Sequence, residues 1–307
     1  MSTQELFSHK VKAEAAAGIT GKKRCDACLA GMLLFSRELS ADAILFQTEN
    51  RDTRDLFIRL VSHAAGDGSV LVSKRERRKK PPLYSMKIKD SESIEKLLAR
   101  AGISLDAERG LGMMKPISDK NLGAFAAGVF LSCGSVVAPH KSYHLEFVVP
   151  EERLCADLRD LFADRLYIEG GIVSRRSATV LYFKESEHIE DMLTLIGAPK
   201  SSLELMNVKI YKDIRNHANR ATNCDTANLG RQNRSAQRQI EAIRKIESTD
   251  GGLSRLPDEL KELCKLRLKY PEMSLSELMN MTDPPLSRSG VNHRFARIEQ
   301  IANEIGD

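Results

Sequence analysis

The chain repeats itself, and that constrains its fold more than any other feature. Lys89-Asp90-Ser91-Glu92-Ser93-Ile94-Glu95-Lys96-Leu97-Leu98 is echoed 95 residues later by Lys184-Glu185-Ser186-Glu187-His188-Ile189-Glu190-Asp191-Met192-Leu193. Upstream, Ala30-Gly31-Met32-Leu33-Leu34 is echoed 97 residues later by Ala127-Gly128-Val129-Phe130-Leu131. The order of elements between the echoes agrees as well. Residues 43–48 and 143–149 read as strands rich in β-formers. Residues 54–65 and 151–166 carry apolar residues near i, i+3, i+4 and i+7 and read as amphipathic helices. Residues 69–73 with 83–89, and 171–175 with 179–183, read as paired strands. Each of the first pair of echoes opens a short amphipathic helix that closes near a glycine, Gly102 or Gly197. The expectation is an α+β unit of helix, strands, helix, two strands, helix, duplicated in tandem over 1–110 and 111–205.

Glycine inside an apolar helix costs about 1 kcal/mol against alanine, so Gly31 and Gly128 need a reason. Close approach of two helix backbones is one: the two Ala-Gly helices would pack on each other along a pseudo-twofold axis. The other is that each helix packs separately on its own sheet.

Leu29-Ala30-Gly31-Met32-Leu33-Leu34-Phe35-Ser36-Arg37 resembles the LAGLIDADG motif of homing endonucleases, and Ala126-Ala127-Gly128-Val129-Phe130-Leu131-Ser132-Cys133-Gly134 resembles its second copy. That resemblance implies a metal-binding acid at the eighth position of each motif, where this chain has Ser36 and Cys133. Metal-dependent phosphodiester cleavage needs hard, charged oxygen ligands, which a hydroxyl and a thiol do not supply. The expectation is a degenerate domain without nuclease activity, with no catalytic residue, metal or cofactor. A saddle of strands that lies along DNA can survive such a loss. Lys74, Arg75, Arg77, Arg78, Lys79 and Lys80 put six cations in seven residues at the hairpin of the first repeat, against only Arg175-Arg176 in the second. Contact with DNA phosphates and a solvated hairpin tip are both open readings of that run.

Beyond residue 200 the pattern turns to helices without strands. Residues 254–268 read as a helix with Pro257 near its start and Pro271 as its stop. Ser274-Leu275-Ser276-Glu277 is a capping box that opens a short helix ending near Met281. Asp283-Pro284-Pro285 breaks it. Ser287 or Ser289 then caps a last helix, with Val291, Phe295, Ile298, Ala302 and Ile305 on one stripe. Its other face carries Ser287, Arg288, Ser289, Asn292, His293, Arg294 and Arg297. Short helix, turn, and a helix with a polar N-terminal face make the helix-turn-helix arrangement. Arginine suits guanine, asparagine suits adenine, and serine with a helix N-terminus suits phosphate. The alternative is a three-helix dimerisation module with a polar outer face.

Residues 251–307 hold eight Lys or Arg against nine Asp or Glu, so phosphate affinity must come from local placement or from elsewhere. The connecting segment, 206–250, is a source: residues 209–238 carry seven cations and two anions. Arg215, Arg220, Asn223, Asn228, Arg231 and Arg234 would form an arm or helix gripping double-stranded DNA, or else a solvated linker.

Over essentially its whole length the sequence resembles the WhiA family. The carriers are Gly134-Ser135-Val136, Lys141-Ser142-Tyr143-His144-Leu145-Glu146, Asn223-Cys224-Asp225-Thr226-Ala227-Asn228, and Pro284-Pro285-Leu286-Ser287-Arg288-Ser289-Gly290-Val291-Asn292-His293-Arg294. The resemblance implies a degenerate LAGLIDADG domain followed by an all-α helix-turn-helix domain over 251–307. It also implies a bacterial transcription regulator of cell division, chromosome segregation and, in some lineages, sporulation. A scaffold role, in which the first domain binds another transcription regulator or a sigma factor, stands beside it.

Nothing else in the sequence carries chemistry. No stretch approaches the roughly 20 apolar residues that span a bilayer. The polar start is unlike a signal peptide, and six scattered cysteines suit a reducing, cytoplasmic and nucleoid-associated setting. Cys25-Asp26-Ala27-Cys28 lacks a second ligand pair at zinc spacing. There is no phosphate-binding glycine loop and no nucleophile elbow, and Gly110-Leu111-Gly112 reads as the link between repeats.

Overall fold

A computed structural model of the chain describes residues 3–78, 80–175 and 178–305. They divide into two compact units, one running to Lys212 and one starting at Asp213. The first begins with helix α1 (Thr3–Ala17) and then lays out one arrangement twice. The first copy is α2 (Lys22–Leu34), β1 (Glu38–Leu39), β2 (Ile44–Thr48), α3 (Arg51–Ala65), β3 (Leu71–Arg77), β4 (Lys80–Ile88) and α4 (Ser91–Ala101). The second is α5 (Asp119–Cys133), β5 (Gly134–Val136), β6 (Leu145–Val149), α6 (Glu152–Leu166), β7 (Gly171–Arg175), β8 (Ala178–Phe183) and α7 (Ser186–Leu195). Each copy makes a four-stranded antiparallel sheet, ordered β1-β2-β4-β3 and β5-β6-β8-β7. Identical strand order in both copies is the duplication seen in space.

Local chemistry sets these elements. Ile44, Phe46 and Thr48 are buried, with Leu45 and Gln47 between them on the open face, which is the two-residue period of a half-buried strand. Phe46 stacks on Phe57 of α3 with ring centroids 4.4 Å apart. Asn50 caps α3 by accepting from the Thr53 amide at 2.8 Å, and Asp90 caps α4 by accepting from Ser93 at 2.9 Å. Gly102 ends α4 in the left-handed conformation (φ 68°).

The twin apolar helices α2 and α5 pack against each other, backbone to backbone. A Cβ at Gly128 would lie 2.1 Å from the carbonyl oxygen of Cys28, and one at Gly31 would lie 2.5 Å from that of Phe125. The two glycines are therefore one seam, and separate packing of the helices is overturned.

The structure corrects several boundaries. Helix α1, not foreseen, buries Phe7, Val11 and Ala15 in the same core. Helix α3 starts at Arg51 rather than 54, because Asn50 supplies its cap. Strand β3 continues to Arg77 and β4 begins at Lys80, so most of the basic run lies within a longer hairpin rather than at a tip between short strands. Backbone pairing such as Lys74 with Tyr84 and Arg75 with Leu83 carries the strands outward. Lys79 and Arg176 lie outside the described residues.

Helix α8 (Pro199–Glu247) takes up the connecting segment as far as Glu247. Its start belongs to the first unit, where Glu14 of α1 accepts from the Lys200 and Ser201 amides at 2.7 and 3.1 Å. The second unit holds the rest of α8 with α9 (Asp258–Lys269), α10 (Leu275–Met279) and α11 (Arg288–Glu304). Its core joins Ile243 and Ile246 of α8 to Leu260, Leu263, Leu278, Val291, Phe295, Ile298 and Ala302. Helix α9 starts at Asp258 rather than 254: Pro257 sits at the cap, after a separate turn at Gly252–Arg255. The capping box forms in full, Ser274 Oγ accepting from Glu277 N at 3.2 Å and Glu277 Oε2 accepting from Ser274 N at 2.7 Å. Helix α10 ends at Met279, short of Met281, and Ile305 lies beyond α11 and is exposed.

Candidate nucleic-acid interface

Helix α11 is built to show one face. Val291, Phe295, Ile298 and Ala302 are buried, and Arg288, Ser289, Asn292, His293 and Arg297 are exposed on the opposite side. Ser287 is the N-cap: its Oγ accepts from Gly290 N at 3.1 Å and lies 3.0 Å from Ser289 Oγ. Arg294 differs from its neighbours, since its guanidinium is held by Glu259 of α9 at 2.9 Å and is only about a quarter exposed. Ser274 is engaged in the capping box at the start of α10. The exposed hydrogen-bonding edge of the helix-turn-helix is thus Arg288, Ser289, Asn292, His293 and Arg297, with Ser289 Oγ already against Ser287 Oγ.

What holds that edge in place is a residue the sequence reading passed over. Arg267 of α9 is buried, 1% exposed, and donates to Gln239 Oε1 at 3.0 Å, Met273 O at 2.6 Å and Pro271 O at 3.3 Å. Its guanidinium also lies 5.4 Å from the Phe295 ring centroid. The three acceptors span α8 and the turn before α10, so one planar fork fixes the turn against α11. Burial lowers its pKa below the usual arginine value.

On α8, no residue from 213 to 235 is buried. Arg220, Asn223, Arg231 and Arg234 fall at i, i+3, i+11 and i+14, one side of the helix. Arg215 and Asn228 lie off that line. That stretch also exposes Ile214 and Leu229, but the side with Arg220, Asn223, Arg231 and Arg234 presents a charged edge rather than a core face.

In the first unit the hairpin cations part company. Lys74 pairs with Glu76 at 2.6 Å, and Arg77 pairs with Glu49 at 2.6 Å while donating to Pro81 O. Among the described residues Arg75, Arg78 and Lys80 make no ion pair and are exposed. The open faces of the two sheets are mixed rather than basic. In the first, Leu71 pairs with Lys87, which pairs with Leu45; in the second, exposed Val148 and Val173 pair on either side of buried Val180. Leu71 is 63% exposed. Arg175 and His144 both lie against Glu146, at 3.3 and 3.4 Å.

At the ends of the twin helices, Ser36 Oγ donates to Glu38 O at 2.9 Å and Cys133 Sγ to Val129 O at 3.4 Å. Burial pushes the Cys133 thiol up to about 12, so it holds its proton. Both side chains are turned onto backbone carbonyls. Among the described residues the one carboxylate lining the cleft between them, Glu49, is held by Arg77. These groups do not fit a divalent metal. In the CxxC pair Cys28 is buried, with its pKa raised by burial, and packs in the seam.

Fold and site together define a class: a duplicated LAGLIDADG-type domain that has lost the acids at its twin-helix ends, followed by a helix-turn-helix unit. The profile of the WhiA LAGLIDADG-like domain matches residues 122–215, and that of the WhiA C-terminal HTH domain matches residues 218–302. The "Probable cell division protein WhiA" of Clostridium beijerinckii is 36% identical over 97% of this chain and 98% of its own length. A Clostridium botulinum protein of the same name is 38% identical over 84% of each chain. The crystal structure of full-length DUF199/WhiA from Thermotoga maritima superposes with a TM-score of 0.60 at 27% identity, covering 98% of this chain and 99% of that one. The chain belongs to the WhiA family.

Proposed function

We propose that this protein is a sequence-specific, double-stranded-DNA-binding transcription regulator without nuclease activity. The observation that carries the reading is the exposed stripe Arg288, Ser289, Asn292, His293 and Arg297 on α11, set over a buried apolar stripe in a helix-turn-helix unit. Asn292 and Arg297 offer the bidentate groups suited to adenine and guanine edges. Arg220, Asn223, Arg231 and Arg234 on α8, with Arg75, Arg78 and Lys80 on the hairpin, supply phosphate contacts that carry no base information. The relatives' name supports a role in cell division. The family resemblance extends the proposal to chromosome segregation and, in sporulating lineages, sporulation, in the cytoplasm and at the nucleoid. Among the described residues no helix is long and apolar enough to cross a membrane.

A second reading has its own observation. Leu71, Val148 and Val173 stay exposed on the open sheet faces, which suits a protein partner, such as another regulator or a sigma factor, better than a phosphate backbone.

The test is fluorescence anisotropy of the full chain on DNA sites selected from a random pool, with Mg²⁺ present and the products run on a gel. Asn292→Ala is expected to relax base preference at one position and weaken the selected site by about 1–3 kcal/mol. Arg231→Ala is expected to weaken all sequences alike. Unchanged selectivity in Asn292→Ala and Arg297→Ala, or cut DNA, overturns the reading.

A further inference from the structure

The twin helices end differently, and the difference opens a second site. A helix C-terminus collects negative charge from its free carbonyls and favours a cation. At the end of α2 the cation is Arg109, from the link between repeats. It donates to Leu34 O at 3.0 Å, to Ser36 O, and to Glu151 Oε1 at 3.3 Å. At the end of α5 the cation is Lys12 of α1, which donates to Leu131 O at 3.3 Å and sits 5.8 Å from the Phe130 ring centroid. Arg109 is taken up on three sides and does not line the cleft. Lys12 does line it, and its ammonium has three N–H groups with one described acceptor.

The cleft itself is an open cavity of about 1080 Å³ between the two copies. Arg37 lines it too, exposed, with one nitrogen on Gln47 at 3.1 Å. The other polar groups of the wall are already bonded within the protein. Ser8 accepts from Val136 N, Ser36 and Ser132 donate to backbone carbonyls, Asn50 caps α3, and Glu49 is paired with Arg77. Lys12 and Arg37 are the lysine and arginine of the described wall, which His9 also lines, and recognition of an anion is assigned to those two. Burial draws Lys12 down to about 8, so an anion against it relieves an unfavourable charge. The volume suits a phosphate with its attached nucleoside.

We propose that the cleft binds a phosphate group through Lys12 and Arg37. A lysine from outside the two copies lines the cleft between them and takes the anion. The phosphate can come from a DNA backbone laid across the cleft or from a free nucleotide. The site is separate from the α11 edge and does not depend on it.

The experiment uses the full chain, Lys12→Met and Arg37→Gln, with two probes: a labelled random-sequence duplex in a salt series, and AMP by titration calorimetry. For a backbone phosphate, Lys12→Met weakens duplex binding about threefold to tenfold and lowers the log–log salt slope by about 1. For a free nucleotide, Lys12→Met weakens AMP binding about tenfold and leaves the duplex alone. Arg37→Gln, on an exposed side chain, shows the same loss on the same probe even if Lys12→Met fails to fold. The proposal is overturned if the wild type binds neither probe, or if both variants bind both probes as the wild type does. Preference for a selected site is retained in both variants, whereas its loss in α11 variants bears only on the helix-turn-helix.

Discussion

A methyl group at Gly128 would meet backbone, which cannot swing aside as a flexible side chain can. Alanine favours an isolated helix by about 1 kcal/mol, so the sign of Gly128→Ala is decided by the seam. Overpacking there outweighs propensity, and Gly128→Ala is expected to destabilise the first unit by about 2–3 kcal/mol. Gly230, in exposed α8 with nothing within 4 Å of a Cβ, gives the opposite sign, a gain of up to about 1 kcal/mol. Denaturant titration and hydrogen exchange read the two. A small gain at both positions would show that the backbones do not touch. The seam was legible because a glycine in an apolar helix is anomalous on its face. Lys12 and Arg109 were not legible: each looks like a solvated charge, and only the fold brings them to carbonyls 119 and 75 residues away. Arg267 was hidden for a related reason, since its acceptors are backbone carbonyls and one amide, with no carboxylate to betray it.

Local marks placed the last helices, although the Asn50 cap of α3 was passed over, and the strands of the second copy were placed nearly to the residue, whereas the extent of the basic hairpin was not. Ser274 and Glu277 mark the start of α10 within four residues, and Ser287 marks that of α11, so the helix-turn-helix could be placed from sequence. The basic hairpin could not be measured, because cross-strand pairing out to Arg77 with Lys80 overrides the low strand tendency of a charged run. The same caps separate structure from recognition on α11. Ser287 Oγ is occupied by Gly290 N, so Ser287→Ala is expected to cost about 1 kcal/mol of stability. Asn292 and Arg297 point outward, so their alanine variants are expected to leave the melting temperature unchanged and lower DNA affinity. Thermal melts beside anisotropy on one set of proteins decide this. Equal destabilisation by all three variants would mean that the exposed stripe is structural.

At the scale of the whole molecule, hydrophobic burial falls into two clusters. One gathers the seam, both sheets and α1; the other gathers the end of α8 with α9, α10 and α11. Cooperativity follows shared burial, so each cluster defines its own unfolding unit. Two substitutions address the two clusters separately. Gly128→Ala strains the seam alone. Arg267→Met leaves Gln239 Oε1, Met273 O and Pro271 O without their donor, at a cost of about 2–3 kcal/mol, or roughly 10–20 °C for a unit of about a hundred residues. Scanning calorimetry of the full chain is expected to resolve two transitions, one lowered only by Gly128→Ala and the other only by Arg267→Met. One shared transition, moved alike by both, would show that the two cores unfold as a single unit. Independent transitions would instead mean that the α11 edge can be assayed in a chain whose first unit is impaired, and the Lys12 cleft in one whose tail is.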